Sequence, residues 1–349
     1  MFLLLCSLIM WLMIFGLGLM YVGYLSPKLS SRIFYQYTLT MLWTTFLWLA
    51  CAYFVSFQGR LDSIFSQQEV SQKVLLDLLC QLCFALYAVG MMVGATIDRT
   101  KTHHLILLST FWLLLVYCPL AYLIWHPAGW LFQLGVVDFS GGLVVHVSAG
   151  FSSLVLAKLL GKTPHQHSNT QHLPLYLGMM LISFGWFGFN MAPVGELSSK
   201  SVLIIIKTLL AIISGGLTWS ILAKWHKEEK LTVPLLNGVI VGLVTSTSAV
   251  GVANPLEMML ICGTASSLTY LMMAWIQKHL SLDDVVDSFA MNGIGGLLGS
   301  LGVIAIAPET ALPQIIGILV TITVSMIVTI VVGKMVLYVF VKKTPKAKS

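Results

Sequence analysis

Two stretches of the chain repeat one spacing of polar groups. In DFSGGLVVHVSAG, Asp138 is followed eight residues on by His146 and twelve on by Gly150; in DVVDSFAMNGIGG, Asp284 is followed at the same intervals by Asn292 and Gly296. An imidazole takes up and gives back a proton near neutral pH, whereas an amide only donates and accepts hydrogen bonds. Each aspartate stands where a helix would begin, and a carboxylate there caps exposed backbone N–H groups, a structural task. Eight helical residues at 1.5 Å each carry the chain roughly 12 Å inward, so His146 and Asn292 lie well inside whatever elements hold them.

Those elements are membrane helices. Of 349 residues, 58% are hydrophobic and 9% charged, against about 25% charged in an ordinary soluble domain. The mean hydropathy is +0.91. A helix needs roughly 17–25 apolar residues to cross a bilayer, and eleven such stretches can be marked: 1–24, 33–57, 74–97, 105–125, 139–160, 173–192, 201–224, 233–253, 255–276, 286–307 and 313–341. The first lacks a basic leader and a small-residue cleavage site, so it is expected to be a retained span. The expected fold is an all-α membrane protein, one membrane domain over residues 1–349. Its halves, about 1–160 and 173–307, form a 5+5 inverted repeat, and a long last helix follows.

The fifth and tenth spans enter from opposite sides, and 12 Å is close to the middle of a hydrocarbon layer about 30 Å thick. His146 and Asn292 are therefore expected to meet near the midplane, where a polar pair must face protein or a cavity. The glycines of GIGGLLGSLG (293–302) suit close helix crossing.

Positive charge supplies a direction. With the C-terminus inside, only Arg60, Lys73, Lys200 and Lys207 of nineteen Lys and Arg residues fall on the outer side, which the positive-inside rule reads as N-out, C-in. The net charge of +6 is then topology rather than nucleic-acid binding. Cys6, Cys51, Cys80, Cys83, Cys118 and Cys262 all lie in apolar stretches without zinc-type spacing, so neither disulfides nor a metal are expected. No connecting loop exceeds about 16 residues, leaving the work to be done between helices. No nucleophile–base pair or cofactor motif points to an enzyme.

With these residues in view, the chain resembles the ammonium transporter family (Amt/Mep/Rh), on the Amt side, over nearly its whole length. GLGLMYVGYL (16–25), QLCFALYAVGMMVGATIDR (81–99), DFSGGLVVHVSAG (138–150), FGWFGFN (184–190) and DDVVDSFAMNGIGG (283–296) carry the resemblance, each on the span where the family has it. The resemblance implies a homotrimer in the plasma membrane, a bacterial inner membrane by expectation, with a narrow pore in each eleven-helix protomer. It places the outer aromatic gate on Phe84 and Phe189, the outer ammonium-binding tryptophan on Trp125, and a further matching position on Gln81. Aromatic faces attract a partly dehydrated cation.

The departures are equally specific. The second pore histidine is Asn292, so a proton relay through two rings is broken. The serine that completes the outer site is Pro193, which has neither hydroxyl nor N–H. An aromatic one turn before Phe84 is Cys80. Lys207 lies about six residues inside the seventh span, where snorkelling to the outer interface is the expected outcome. The chain ends in VKKTPKAKS; without a long cytoplasmic tail, docking of a signal protein of the nitrogen-regulatory (PII) class is not expected. His165, His167 and His172 in GKTPHQHSNTQH (161–172) are expected to be solvated rather than metal-bound. Two functions follow: a channel for ammonium or ammonia lined by His146 and Asn292, or an ammonium-binding sensor or regulatory subunit with altered conduction.

Overall fold

The computed structural model describes residues 1–65, 70–162, 170–279 and 286–339. Among these, eleven helices are long and apolar enough to cross a membrane: α1 Phe2–Tyr24, α2 Pro27–Gln58, α3 Gln72–Gly94, α4 Thr102–Leu134, α5 Gly142–Leu160, α6 His172–Val194, α7 Ser199–Trp225, α8 Thr232–Ala249, α9 Pro255–Ile276, α10 Phe289–Ile306 and α11 Pro308–Leu337. Helices are what such sequences must form in lipid, because only an intrahelical ladder satisfies every backbone group without water. Polar residues mark the ends. Ser198 and Ser201 form a capping box before α7, and Asn254 and Glu257 bond each other's backbone N–H at the start of α9 (2.9 and 2.7 Å), as the four orphan donors of a helix N-terminus require.

The helices at equivalent places in the two halves pack against each other through glycine. In the α1–α6 crossing, a Cβ on Gly16 would stand 2.6 Å from the Gly178 carbonyl oxygen, and one on Gly178 equally close to that of Gly16. In the α5–α10 crossing, a Cβ on Gly150 would meet Gly293 N at 2.1 Å, and one on Gly296 would meet the Gly142 carbonyl at 2.9 Å. Backbone thus lies against backbone, as small residues permit between membrane helices. α11 buttresses α5: Thr329 bonds Ser152 (2.9 Å), and Gln314 bonds both backbone groups of Val137 (2.9 and 2.8 Å).

Two features depart from the linear reading. α4 is interrupted after Trp125, where His126 turns extended and Gly129 packs so tightly that a Cβ would stand 2.2 Å from the Tyr122 carbonyl. Lys207 does not snorkel. It is buried, and its ammonium donates to the carbonyls of Val250 and Ala253. The reason is that α8 stops at Ala249, earlier than its apolar run, and the carbonyls past its end need donors. A cation at a helix C-terminus also meets the negative end of the helix dipole.

Candidate functional site

The site is built at the start of α5. The carboxylate of Asp138 accepts the backbone N–H groups of Leu143 (2.9 Å) and Val144 (3.1 Å), and Ser140 N–H donates to the Thr247 carbonyl of α8 (2.8 Å). Gly141 then turns left-handed, with φ 95°, a conformation that glycine adopts without penalty. Its carbonyl receives both Val145 N–H (2.9 Å) and His146 N–H (3.1 Å). The second bond skips five residues rather than four, so α5 opens as a wide π turn over Gly142–Val147. α10 does the same over Phe289–Ile294. Such turns recur at functional positions because they displace one residue from the regular register. The displaced regions hold His146 and Asn292. Asp284 lies outside the described residues.

His146 Nδ1 and Asn292 Oδ1 are 3.0 Å apart and buried. A carbonyl oxygen only accepts, so with this amide orientation Nδ1 carries the proton and Nε2 the lone pair. The neighbours assign the orientation. Ser288 Oγ lies 3.4 Å from Asn292 Nδ2, accepts from Ser153 (3.1 Å), and donates to the Met91 carbonyl (3.4 Å); with its own proton engaged, it meets the amide's N–H₂ rather than its oxygen. His146 Nε2 has no hydrogen-bond partner, and the residue is fully buried. Its ring lies nearly parallel to Trp186 (centroids 5.3 Å, 12°), with Tyr87 and Phe189 each at 6.0 Å. A small pocket of about 10 Å³, lined by Tyr21, Tyr87, Met91, Ser288 and Asn292 among others, has room for about one water-sized molecule.

A wider cavity of about 560 Å³ approaches from the side of α3, α4 and α6, bounded by Asp77, Gln81, Phe84, Trp125, Asp138 and Pro193 among others. Phe84 lines it, and Phe189 packs against Phe84 with ring centroids 4.3 Å apart, a spacing that leaves no water-wide gap. Trp125 stands edge-on to Phe84 (5.6 Å, 70°), and its indole N–H donates to the Asp138 carbonyl (2.9 Å). The residue that caps α5 therefore also fixes the tryptophan. Gln81 is half-buried on the same wall, with Oε1 unpartnered, and Cys80 lines the cavity beside it.

The arrangement thus gathers Phe84, Trp125, Gln81 and Asp138 around one vestibule, with Phe189 packed between Phe84 and the bonded pair His146 and Asn292. His172 is at the start of α6, away from them, while His165 and His167 lie outside the described residues. No group of three or more His, Cys, Asp or Glu among the described residues is placed to hold a metal, and all six cysteines are free. Linear reading missed Trp186, Ser288 and Asp77. Asp77 had a signal of its own, a carboxylate inside an apolar span. Trp186 had none beyond its place in FGWFGFN.

Comparison with known proteins agrees over the length of the chain. The model of the Ammonium Transporter Family matches residues 1–347. The ammonium transporter Amt1 of Archaeoglobus fulgidus is 30% identical, covering 93% of this chain and 88% of that protein; the ammonium transporter of Bacillus subtilis is 32% identical over 86% of this chain and 78% of its own. Among solved structures, Candida albicans Mep2 superposes with a TM-score of 0.82 at 26% identity, over 98% of this chain and 84% of that one. A structure described as a sensor Amt protein has the same fold (TM-score 0.87, 21% identity, 100% and 94% covered). With eleven spans, a histidine buried between α5 and α10 and a family match along almost every residue, this chain belongs to the ammonium transporter family.

Proposed function

We propose that the chain conducts ammonium nitrogen across the membrane through a passage inside each protomer. Trp125 and Gln81 receive the cation in the vestibule, Phe84 and Phe189 gate it, and His146 with Asn292 carries the nitrogen past the midplane. The observation that supports this best is His146 itself, fully buried beneath a closed pair of rings, with Nδ1 bonded to Asn292 and Nε2 left as a bare acceptor. A permanent cation has no solvation there, whereas ammonia has N–H groups to offer a lone acceptor. An amide cannot hand on a proton, so the proton leaves to water in the vestibule rather than through a second ring. Asp138 is a cap: its two oxygens are spent on backbone N–H groups. The chain works as one membrane domain, N-out and C-in, in homotrimers of the plasma membrane, a bacterial inner membrane by this reading.

The second reading, an ammonium sensor or regulatory subunit, draws on Asn292 and Pro193, the two places where pore chemistry departs from the family pattern. One experiment separates them. Purified protein in liposomes is given ammonium and methylammonium gradients; flux well above that of empty vesicles is expected, while binding of methylammonium without flux supports the sensor.

A further inference from the structure

A second carboxylate faces the vestibule, and it is placed differently from the first. The residues lining the 560 Å³ cavity include two aspartates and no lysine, arginine or histidine. Asp138 has both oxygens bonded to backbone N–H groups, so its charge is already answered by the start of α5. Asp77 is half-buried on α3, and Oδ2 accepts the Tyr53 hydroxyl at 2.8 Å. Tyr53 is 1% exposed and packed edge-on against Trp48, which holds it in place. The carboxylate is therefore aimed from a rigid wall.

Spacing along α3 continues the argument. Asp77, Gln81 and Phe84 stand at i, i+4 and i+7, one face of a helix, and all three line the cavity. They form a stripe running from a carboxylate, past an amide, to the closed rings. Lys73, one turn before Asp77, is exposed and does not line the cavity; its charge is felt at the Asp77 carboxylate, which also takes a hydrogen bond from the Gln81 side chain. Across the vestibule, Pro193 offers no hydroxyl.

We propose that Asp77 is the cation-recruiting carboxylate of the vestibule, forming with Gln81, Trp125 and Phe84 a binding site for a small monovalent ammonium-type cation. The aromatic faces attract only at short range, whereas a fixed negative charge in a low-dielectric mouth concentrates cations before they reach the rings. The inference rests on the conduction reading, since it makes this cavity the cation's entrance.

The test is the concentration dependence of methylammonium flux in liposomes holding the purified protein, at low and high ionic strength. In the parent, the half-saturating concentration should rise with salt as the charge is screened. Asp77→Asn and Asp77→Ser should raise it about five- to twentyfold at low salt, leave the maximal flux within about twofold and flatten the salt dependence; Asp77→Glu should restore most of the affinity. A residue that only anchored Tyr53 would lower maximal flux and leave the salt dependence alone, and that result overturns the proposal. So does a salt-independent parent, whatever becomes of the variants. A parent without flux counts against the conduction reading instead; equilibrium binding of methylammonium to detergent-purified parent and variants then decides the site, equal affinity overturning it.

Discussion

The starts of α5 and α10 use one backbone device and two different side chains. Both helices open on a π turn, and both cross the other through a glycine. Yet one presents an imidazole and the other an amide, joined at 3.0 Å. Geometry is thus symmetric where chemistry is not. Asp138 clamps the start of α5 through two backbone N–H groups, the Trp125 indole is tied to the carbonyl of that residue, and the stacked Trp186 comes from α6, in the other half. The amide's own N–H₂ meets the Ser288 hydroxyl at the longer distance of 3.4 Å. Close packing demands equivalence from the two backbones and leaves their side chains free to differ.

The largest effect should come from breaking the shared part. Gly150→Leu places side-chain atoms where even a Cβ would meet Gly293 N at 2.1 Å, and overpacking of that kind costs about 3 kcal/mol or more. Little folded protein should be recovered, as measured by size-exclusion chromatography in detergent. A normal yield would show that the crossing yields easily and that the symmetry is incidental.

Removing the ring should leave the fold and abolish the work. His146→Ala deletes the acceptor and leaves Asn292 Oδ1 unpaired; liposome flux should fall about a hundredfold or to the empty-vesicle level, while Tm stays within a few degrees. Normal conduction by this variant would mean that the passage runs elsewhere.

Restoring chemical symmetry is the third way to probe the comparison. Asn292→His adds a second titratable group beside His146, so ammonium flux should rise several-fold or its pH profile should change between about pH 6 and 8. Identical flux and profile in variant and parent would show that the second ring does not limit transport in this chain.

The smallest expected effect concerns how the amide is held. Ser288→Ala removes the hydroxyl at 3.4 Å from Asn292 Nδ2, freeing the amide to turn over. Flux should drop about two- to fivefold, because a turned amide presents N–H to Nδ1 and switches the ring's tautomer. If Ser288→Ala conducts as the parent does, the amide is oriented by something other than this serine.

Much of this arrangement could be read from the linear chain, and the reason is physical. Hydropathy over about twenty residues reports what lipid requires of a helix, so the spans are legible, and the matching eight-residue intervals point to the meeting of His146 and Asn292, which lie 3.0 Å apart. Local register was not. Whether Gly141's carbonyl receives one N–H or two depends on Asp138 and Thr247 pulling the turn open, and no periodicity encodes that. Lys207 failed for a related reason. A lysine in an apolar run has two outlets, water or an orphan carbonyl, and only the place where α8 stops in space decides between them. Tyr53 and Asp77 sit on different helices, 24 positions apart, so their bond had no signature in either span.

The α5–α10 crossing has a kinetic meaning as well. With backbone pressed on backbone at Gly150 and Gly293, the two helices have little room to slide, and a rocking of one half against the other would have to break that contact. What can move cheaply is a pair of phenyl rings. Side-chain rotations run in picoseconds to nanoseconds when free and more slowly when packed, whereas collective helix motions take microseconds to milliseconds. If Phe84 and Phe189 are the gate, as proposed, passage is timed by how often these two rings part, and the temperature dependence of turnover should be that of turning a ring.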